Sequence, residues 1–426
     1  MTLLADLPRL WFSSAAAPRQ VGVPNARAGE GAEAGSQWRV LKGINRMALV
    51  RQLCVKPGLS RADLAACVQL TKSTVGLLVR ELIAEGWLVE RDSVPSGDIG
   101  RRPTPLYVDP TRLVLLGAEI GIDSTRLVAT SLVGDVLGRL QVPHAPNTGA
   151  QACLASLAAS LASLHRELDD NARQVLGIGI GLPGGVDEAT GFLHFAPNLG
   201  WREVPVGALL ESALAETALA GVPLFLQNEA DVAALGELEF NPGDAADPLL
   251  YVSINQGVGA GVIVGDRLLI GSRGFAGEIG HTILQPDGPL CSCGRRGCAE
   301  ALIGMHSVLA TRADSTRKRQ AAKGDVDRQD AIAAAGSHLG ILLQNLAAAY
   351  DPACIVLGGA GVSLGSGFVE PALRTLAEHC DAANLPMPTV RLSRHGADAV
   401  AVGAAALVRY RVTRPLIAVT SSRTAP

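Results

Sequence analysis

The clearest chemistry in the chain lies in one short string. His281 is followed ten residues later by Cys291, then by Cys293 and Cys298, within GHTILQPDGPLCSCGRRGC. Three thiolates and one imidazole complete a tetrahedral zinc shell, and a shell filled entirely by protein is structural because no position remains for a substrate water. Packing gives no reason to place three cysteines so close together among glycines and charged residues. The expected cofactor is therefore a structural Zn2+ that fixes a loop. The flanks of that loop, Gly277-Glu278-Ile279-Gly280-His281 and Glu300, suggest what it holds. Carboxylates around an imidazole, separated by glycines that allow close approach, suit hydrogen bonding to sugar hydroxyls. On spacing alone, a solvated surface position fits Glu278 and Glu300 equally well.

A second set of chemistry-bearing residues lies near the N-terminus. Between Gln37 and Asp109 the chain holds 11 Lys/Arg and 7 Asp/Glu, a net charge of +4 that leaves -7 for the remainder. A small basic module thus sits on an acidic body. From about Ile44, the residues Met47, Ala48 and Arg51 to Val55 continue an amphipathic helix that stops at Pro57-Gly58. Ser60 and Asp63 form a capping box for a short helix from Arg61 to about Cys67. Thr71 caps a third helix, along which Val75, Leu78, Val79, Leu82 and Ile83 recur at helical spacing. The link Val68-Gln69-Leu70 predicts a helix-turn-helix whose second helix enters the DNA major groove. Trp87 to Glu90 and the return Leu106-Tyr107-Val108 predict the strands of a β-wing, with Gly100-Arg101-Arg102-Pro103 in its loop. Candidate DNA contacts are Lys72, Ser73 and Thr74 at the start of the reader helix, Arg80 further along it, and Arg61 on phosphate. The wing pair Arg101 and Arg102 suits phosphate or the minor groove. The rival reading of Arg61 is a surface pair with Asp63 or Glu81.

The elements that must position these groups follow from length and pattern. A chain of 426 residues predicts roughly two to four domains. At 48% hydrophobic, 18% charged and net -3, it is neither a disordered chain nor a uniformly basic coat protein. No uncharged apolar run reaches the roughly 18 residues of a spanning helix. The start MTLLADLPRLWF lacks the early positive charge of a secretory signal, so a cytoplasmic protein with no membrane partner is expected. Eight cysteines are too few for a disulfide scaffold at this length. From Leu113 onward, apolar runs such as Leu113 to Leu116, Val175 to Ile180, Leu249 to Ile254 and Cys354 to Leu357 alternate with Ala/Leu-rich helical stretches. That alternation predicts an α/β body. The charged interval 311–330 reads as a solvated loop and helix surface, and no fixed-period repeat is visible. The expected division is a disordered extension over 1–36, a winged helix-turn-helix (all-α with a β-wing) over 37–109, the α/β body over 110–412 and a tail over 413–426.

Taken in order, SRADLAACVQLTKSTVGLLVRELIAEGWL, SGDIGRRP, GIGIGLPGGVDEATG, APNLGW, NEADVAALGE, GFAGEIGH, CSCGRRGCAE and IVLGGAGVS extend over nearly the whole chain. From about residue 40 to 410 the sequence resembles the ROK family (repressors, open reading frames and kinases), in its repressor branch with an N-terminal winged helix. The resemblance implies two actin-like lobes, ribonuclease H-like and of the sugar kinase and Hsp70 type, with a sugar cleft between them. It further implies a homodimer or homotetramer, and a sugar site made by Asn228, Glu229, Glu278, His281 and Glu300, with His281 also a zinc ligand.

Departures from the family's kinases bear on function. Where those kinases read Asp-Ile-Gly-Gly-Thr-Lys, this chain has Glu119-Ile120-Gly121-Ile122-Asp123-Ser124, and Asp123 would set a negative charge near ATP phosphates. The second phosphate loop, Gly-Thr-Gly-Val-Gly in kinases, is Asn255-Gln256-Gly257-Val258-Gly259, without the threonine hydroxyl. The kinase Asn-Asp is Asn228-Glu229, and the extra methylene moves the carboxylate by about an ångström, a misplacement that can cost roughly 100-fold in rate. In the reader helix, Gly76-Leu77 stands where family repressors often carry Ser-Arg. Retained sugar-facing residues beside three altered phosphoryl-transfer elements are expected of a sensor without enzymatic activity. The expected function is a sugar-responsive repressor released from a double-stranded DNA operator by a monosaccharide, xylose-like or another aldose or amino sugar. The rival is an active ATP-dependent sugar kinase with an appended DNA-binding domain.

Overall fold

The computed structural model describes residues 31–92, 104–168, 173–241, 246–272, 274–310 and 321–414. The wing arginines Arg101 and Arg102 lie outside these residues.

The N-terminal module opens with α1 (Gly31–Val55), which begins earlier than the Ile44 expected and inside the segment read as an extension. Residues 31–43 have no apolar period, but they contain no proline and several good helix formers, which permits helix without specifying a buried face. Helix α2 (Arg61–Val68) carries the expected capping box, with Ser60 Oγ accepting from the Asp63 amide at 3.2 Å and the Asp63 carboxylate accepting from the Ser60 amide at 3.0 Å. It ends at Gln69, in the left-handed region at φ 51°. Helix α3 (Lys72–Ala84) starts after Thr71, whose Oγ1 accepts from the Thr74 amide at 3.2 Å. The chain turns by 113° between α2 and α3, within the range of helix-turn-helix units. The linking residues are 69–71, one place later than predicted. Strands β1 (Leu88–Glu90) and β2 (Leu106–Val108) pair antiparallel as the wing, with Leu88 opposite Val108.

The body consists of two lobes with the same sheet topology. In the first, β3 (Leu113–Ile120), β4 (Ser124–Ser131) and β5 (Val136–Pro143) form an antiparallel meander. After α4 (Ala150–Glu167), β6 (Gln174–Leu182) pairs parallel with β3. A small antiparallel sheet of β7 (Gly185–Asp187), β8 (Phe192–Ala196) and β9 (Trp201–Val204) follows, then α5 (Val206–Leu214) and β10 (Leu224–Asn228), giving the order β10-β6-β3-β4-β5. Helix α6 (Glu229–Glu239) crosses to the second lobe. There β11 (Leu249–Ile254), β12 (Val258–Val264) and β13 (Arg267–Leu268) form the second meander. Beyond α7 (Ala299–Ile303), α8 (Met305–Ala310) and α9 (Ala321–Tyr350) come β14 (Cys354–Gly358), α10 (Ser366–Ala382) and β15 (Thr389–Leu392). The order β13-β12-β11-β14-β15 repeats the first lobe's pattern. The repeat lies in topology and was invisible as a sequence period.

Among the described residues, the segment Arg328–Tyr350 of α9 is long and apolar enough to cross a membrane by length and composition alone. Its Ala335, Leu339, Leu342, Leu343 and Leu346 are buried in the second lobe's core together with Phe368 and Leu376 of α10.

The last helix, α11 (Ala399–Thr413), returns to the first lobe and lies along β3 and β6. Helix α6 packs on β11 and β12, and α6 and α11 cross. Glycines set these distances. A Cβ at Gly117 would stand 2.1 Å from the Ala401 carbonyl oxygen, one at Gly179 1.8 Å from that of Ala404, and one at Gly403 2.0 Å from that of Val232. The lobes therefore meet through backbone contact between two helices.

The module's core does not end at the expected boundary of residue 109. One buried cluster joins Leu49, Leu53, Leu64, Val75, Val79 and Leu82 of the module to Leu113, Leu115, Ala401, Ala405 and Val408 of the body. A charged network runs beside it. Glu239 at the end of α6 meets Arg409 at 2.7 Å and Arg414 at 2.6 Å; Arg414 meets Asp266 at 2.6 Å, and Asp266 lies 3.6 Å from Arg51 of α1. Burial pushes the Glu239 carboxyl up, but Arg414 and Arg409 outweigh it and hold the group below its ordinary value.

Gly403→Ala is expected to destabilise the protein by about 1–3 kcal/mol through forced separation of α6 and α11. Gly76→Ala, on an open helix face where no atom lies within 4 Å of the new methyl, should instead gain up to about 1 kcal/mol of helix propensity. Thermal unfolding of both variants checks the pair, and equal melting temperatures would contradict the packing argument.

Candidate functional site

The five residues expected to form a sugar site, Asn228, Glu229, Glu278, His281 and Glu300, line one cavity between the lobes. Asn228 ends β10 and caps α6. Its Oδ1 accepts from the Ala230 amide at 2.8 Å, and its Nδ2 donates to the Gly184 carbonyl at 2.9 Å, so this amide chiefly fixes the loop before β7. Glu229, the first residue of α6, has its ordinary pKa near 4.5 pushed up to about 7. Burial is the largest cause, and the negative charge of Glu119 adds to it, against a hydrogen bond from Asn255. Glu278 is raised as well, first by burial, with His281 opposing and Glu300 reinforcing.

Two glycines explain how the Gly-Glu-Ile-Gly-His segment reaches the cavity. A Cβ at Gly277, where φ is +90°, would lie 1.9 Å from the Ala260 carbonyl oxygen, and one at Gly280 2.1 Å from that of Val258. Only glycine lets this segment rest against β12. His281 then faces two ways, with Nδ1 3.7 Å from Cys291 Sγ and Nε2 3.9 Å from a Glu278 carboxylate oxygen.

The ligand atoms of His281, Cys291, Cys293 and Cys298 all lie within 4.8 Å of one another. Cys293 Sγ and Cys298 Sγ are 3.7 Å apart, close to the edge of roughly 3.8 Å in a tetrahedron with metal–sulfur arms of about 2.3 Å. The arrangement fits a tetrahedral metal ion. The same loop reaches the cavity through Ser292, whose Oγ donates to Glu300 at 2.7 Å.

The altered phosphate-loop positions are separated. Glu119, at the end of β3, is buried 3.3 Å from Arg126, and burial raises its pKa against that guanidinium. Asp123 and Gln256 are exposed in turns, and neither lines the cavity. Several cavity residues had no role assigned from the sequence. Asn198, Phe195 and Ser292 also line it. Asn198 sits in the quoted APNLGW string, and Ser292 between two expected zinc ligands, so position relative to those motifs was the available signal. Asp231, two residues beyond Glu229, is 2% exposed with its pKa raised well above the ordinary value by burial and then by Glu278 and Glu188.

On the reader helix, Lys72, Ser73 and Arg80 are exposed, and Leu77 is 47% exposed between them. Ser73, Leu77 and Arg80 share one face. Thr74 is turned into the cap, its Oγ1 2.8 Å from that of Thr71. Arg61 pairs with Glu90 of the wing strand, a partner the sequence reading had not considered.

The ROK family model matches residues 115–411. The chain belongs to the ROK family. It is 30% identical to the xylose repressor of Bacillus subtilis (strain 168), over 74% of this chain and 82% of that protein. The xylose repressor of Caldicellulosiruptor bescii is 28% identical over 390 residues, which cover 87% of this chain and 96% of the relative and so outrun the family segment. A glucokinase of Halalkalibacterium halodurans is 29% identical over 70% of this chain and 95% of that enzyme. Among solved structures, a ROK family transcriptional regulator, a homolog of the E. coli Mlc protein, matches 88% of this chain and 97% of its own with a TM-score of 0.72 at 22% identity. A ROK family glucokinase from Streptomyces griseus matches 70% and 100% with a TM-score of 0.60 at 26% identity. The fold is the expected winged helix-turn-helix followed by a two-lobed ROK domain.

Glu229 supplies a pH test. Its folded-state pKa stands above the unfolded value near 4.5, so its stabilising contribution is complete below pH 4.5 and is lost as pH rises through about 7. Glu229→Gln should flatten the fall in melting temperature over that window. Parallel profiles for variant and parent would contradict the assignment.

Proposed function

We propose that this protein is a sugar-responsive transcriptional repressor that binds operator DNA through α3 and the wing, and lets go when a monosaccharide occupies the cleft between its lobes. The observation that carries the proposal is the shared core. The module's apolar residues pack into α11, α11 crosses α6, and α6 begins at Asn228-Glu229 in the cavity. At about 1.5 Å per residue, the 11 residues of α6 reach roughly 16 Å from the cavity to Glu239 and the charged network that ends on Arg51. A sugar that draws the lobes together moves α6 against α11, and with them the base of the reader module.

In this reading Glu229, Glu278 and Glu300 accept hydrogen bonds from sugar hydroxyls, while Asn228 and His281 hold the walls in place. With their pKa values raised, Glu229 and Glu278 can donate as well as accept hydrogen bonds, which suits sugar hydroxyls, themselves donors and acceptors. A structural zinc ion on His281, Cys291, Cys293 and Cys298 would supply no catalysis. It would fix the loop whose Ser292 orients Glu300. Ser73, Leu77 and Arg80 would face base edges, with Leu77 offering an apolar contact to a thymine methyl, and Lys72 would meet phosphate. Arg61 is held by Glu90 and would serve phosphate only after exchanging that partner. Xylose is the first effector to test, given the named repressor relatives.

Loss of kinase activity belongs to the same proposal. Three stretches that differ from the family's kinases, Glu119 to Ser124, Asn255 to Gly259 and Asn228-Glu229, support it. The kinase reading draws support from the glucokinase relative, which covers 70% of this chain.

The test is operator binding at fixed salt with and without aldoses and amino sugars, alongside an ATP-dependent sugar phosphorylation assay on the same preparation. One sugar should weaken DNA binding about 5–150-fold, the effect of a coupling of roughly 1–3 kcal/mol, with no phosphorylation. DNA binding indifferent to every sugar, or turnover on the order of 1 per second or faster, would overturn the proposal. For the metal, one zinc per chain is expected by elemental analysis. Cys298→Ser should lose it and the sugar response while keeping DNA binding, and a zinc-free parent protein with an intact response would contradict the role.

A further inference from the structure

The cavity does not end at the five residues described. Next to it lies a cleft of about 1000 Å³, and Phe195 and Gly274 line both spaces. The cleft's walls come from both lobes: Val186, Glu188 and His194 from β7, β8 and the turn between them, Phe225 from β10, and Ile270 and Phe275 from the segment after β13. Its volume matches the upper end of small-molecule sites, roughly 300–1,000 Å³.

The lining is unusual for this chain. Only 7 of its 426 residues are phenylalanine; three of them, Phe195, Phe225 and Phe275, line the cleft, and a fourth, Phe192, packs behind its His194. Phe195 and Phe275 are tilted at 37° with centroids 5.8 Å apart, while His194 meets Phe275 at 65° and 6.4 Å and Phe192 at 66° and 5.4 Å. The rings meet by their edges or at a tilt rather than in parallel stacks. All are half-buried, in contrast to Phe368, which is sealed in the second lobe's core. Between them stands a compensated pair, Glu188 with Arg411, and Gln227 donates to the same Glu188 oxygen at 3.4 Å. The pair cancels its own charge, and Asp187, which accepts from Thr190 Oγ1 at 2.7 Å and from the Ala189 amide at 3.0 Å, adds a carboxylate to the lining that can accept from hydroxyl groups and disfavours an anionic ligand.

A pyranose ring has apolar C–H faces and a rim of hydroxyls. Aromatic walls meet the faces, and the carboxylate, guanidinium and imidazole meet the rim. Resting on the sugar reading of the inner cavity, we propose that this cleft is a second saccharide subsite and that the effector is a non-anionic disaccharide or longer oligosaccharide, with its terminal unit in the inner cavity. Such a ligand bridges the lobes and touches Arg411 on α11, two residues from the Arg409 that binds Glu239. The outer unit therefore acts directly on α11.

Calorimetry on the full chain compares D-xylose with xylobiose, D-glucose with cellobiose, and N-acetylglucosamine with chitobiose. One disaccharide should bind about tenfold or more tightly than its own monosaccharide. Phe275→Ala and His194→Ala, both outside the inner cavity, should each remove most of that gain and leave the monosaccharide Kd within about twofold. If a monosaccharide binds and no disaccharide binds more tightly, or if the gain survives both variants, the subsite is overturned while the inner site stands. If no saccharide of either length binds, the sugar reading falls and the subsite falls with it.

Discussion

The close crossing of α6 and α11 is the constraint on which the rest of the molecule depends. Gly236 and Gly403 meet backbone to backbone, and each neighbouring layer is built outward from that contact. One helix belongs to the second lobe's sheet and the other to the first. Because backbone contacts cannot repack as side chains can, relative movement of the lobes must occur as rotation or sliding of these two helices. The cavity between the lobes opens at one end of α6, and the charged network joined to the N-terminal module lies at the other. On the proposed reading, a ligand in the cleft and DNA on α3 act on the same pair of helices.

Electrostatics divides the molecule in a corresponding way. Around the start of α6, Glu119, Glu229, Asp231 and Glu278 are all shifted upward chiefly by burial, and their mutual repulsion adds to the shift at Glu229 and Asp231. Carboxyl groups shifted in this way can donate as well as accept hydrogen bonds. At the far end of α6, Glu239 is held in its charged form by two arginines. Breaking a buried pair of this kind is costly, commonly 3–5 kcal/mol when one partner is removed, so the network moves as a unit rather than dissolving.

How far the sequence could be read depended on whether the information was local. The His281 and cysteine cluster was legible because its four residues fall within one short string, and the capping box of α2, the Thr71 cap and the wing strands because each is decided over a few residues. That Asn228, Glu229, Glu278, His281 and Glu300 share one cavity was legible only through family motifs, since Asn228 and Glu300 are 72 positions apart and nothing in their spacing joins them. The early start of α1 was missed because helix propensity without an apolar face leaves no period to detect. Arg61's partner Glu90 was missed because it lies on a strand 29 residues away. The topological repeat of the two lobes and the aromatic cleft could not be read at all. Both depend on contacts between segments whose sequences share no pattern.

The measurement closest to the central claim is hydrogen–deuterium exchange on the intact protein, comparing the free state with the state saturated by its sugar. If α6 and α11 carry the signal, protection should change along both helices and into α1, far from the cavity, as well as at the cavity walls. A change confined to the segments that line the cavity, with α11 and α1 exchanging as in the free protein, would contradict the account.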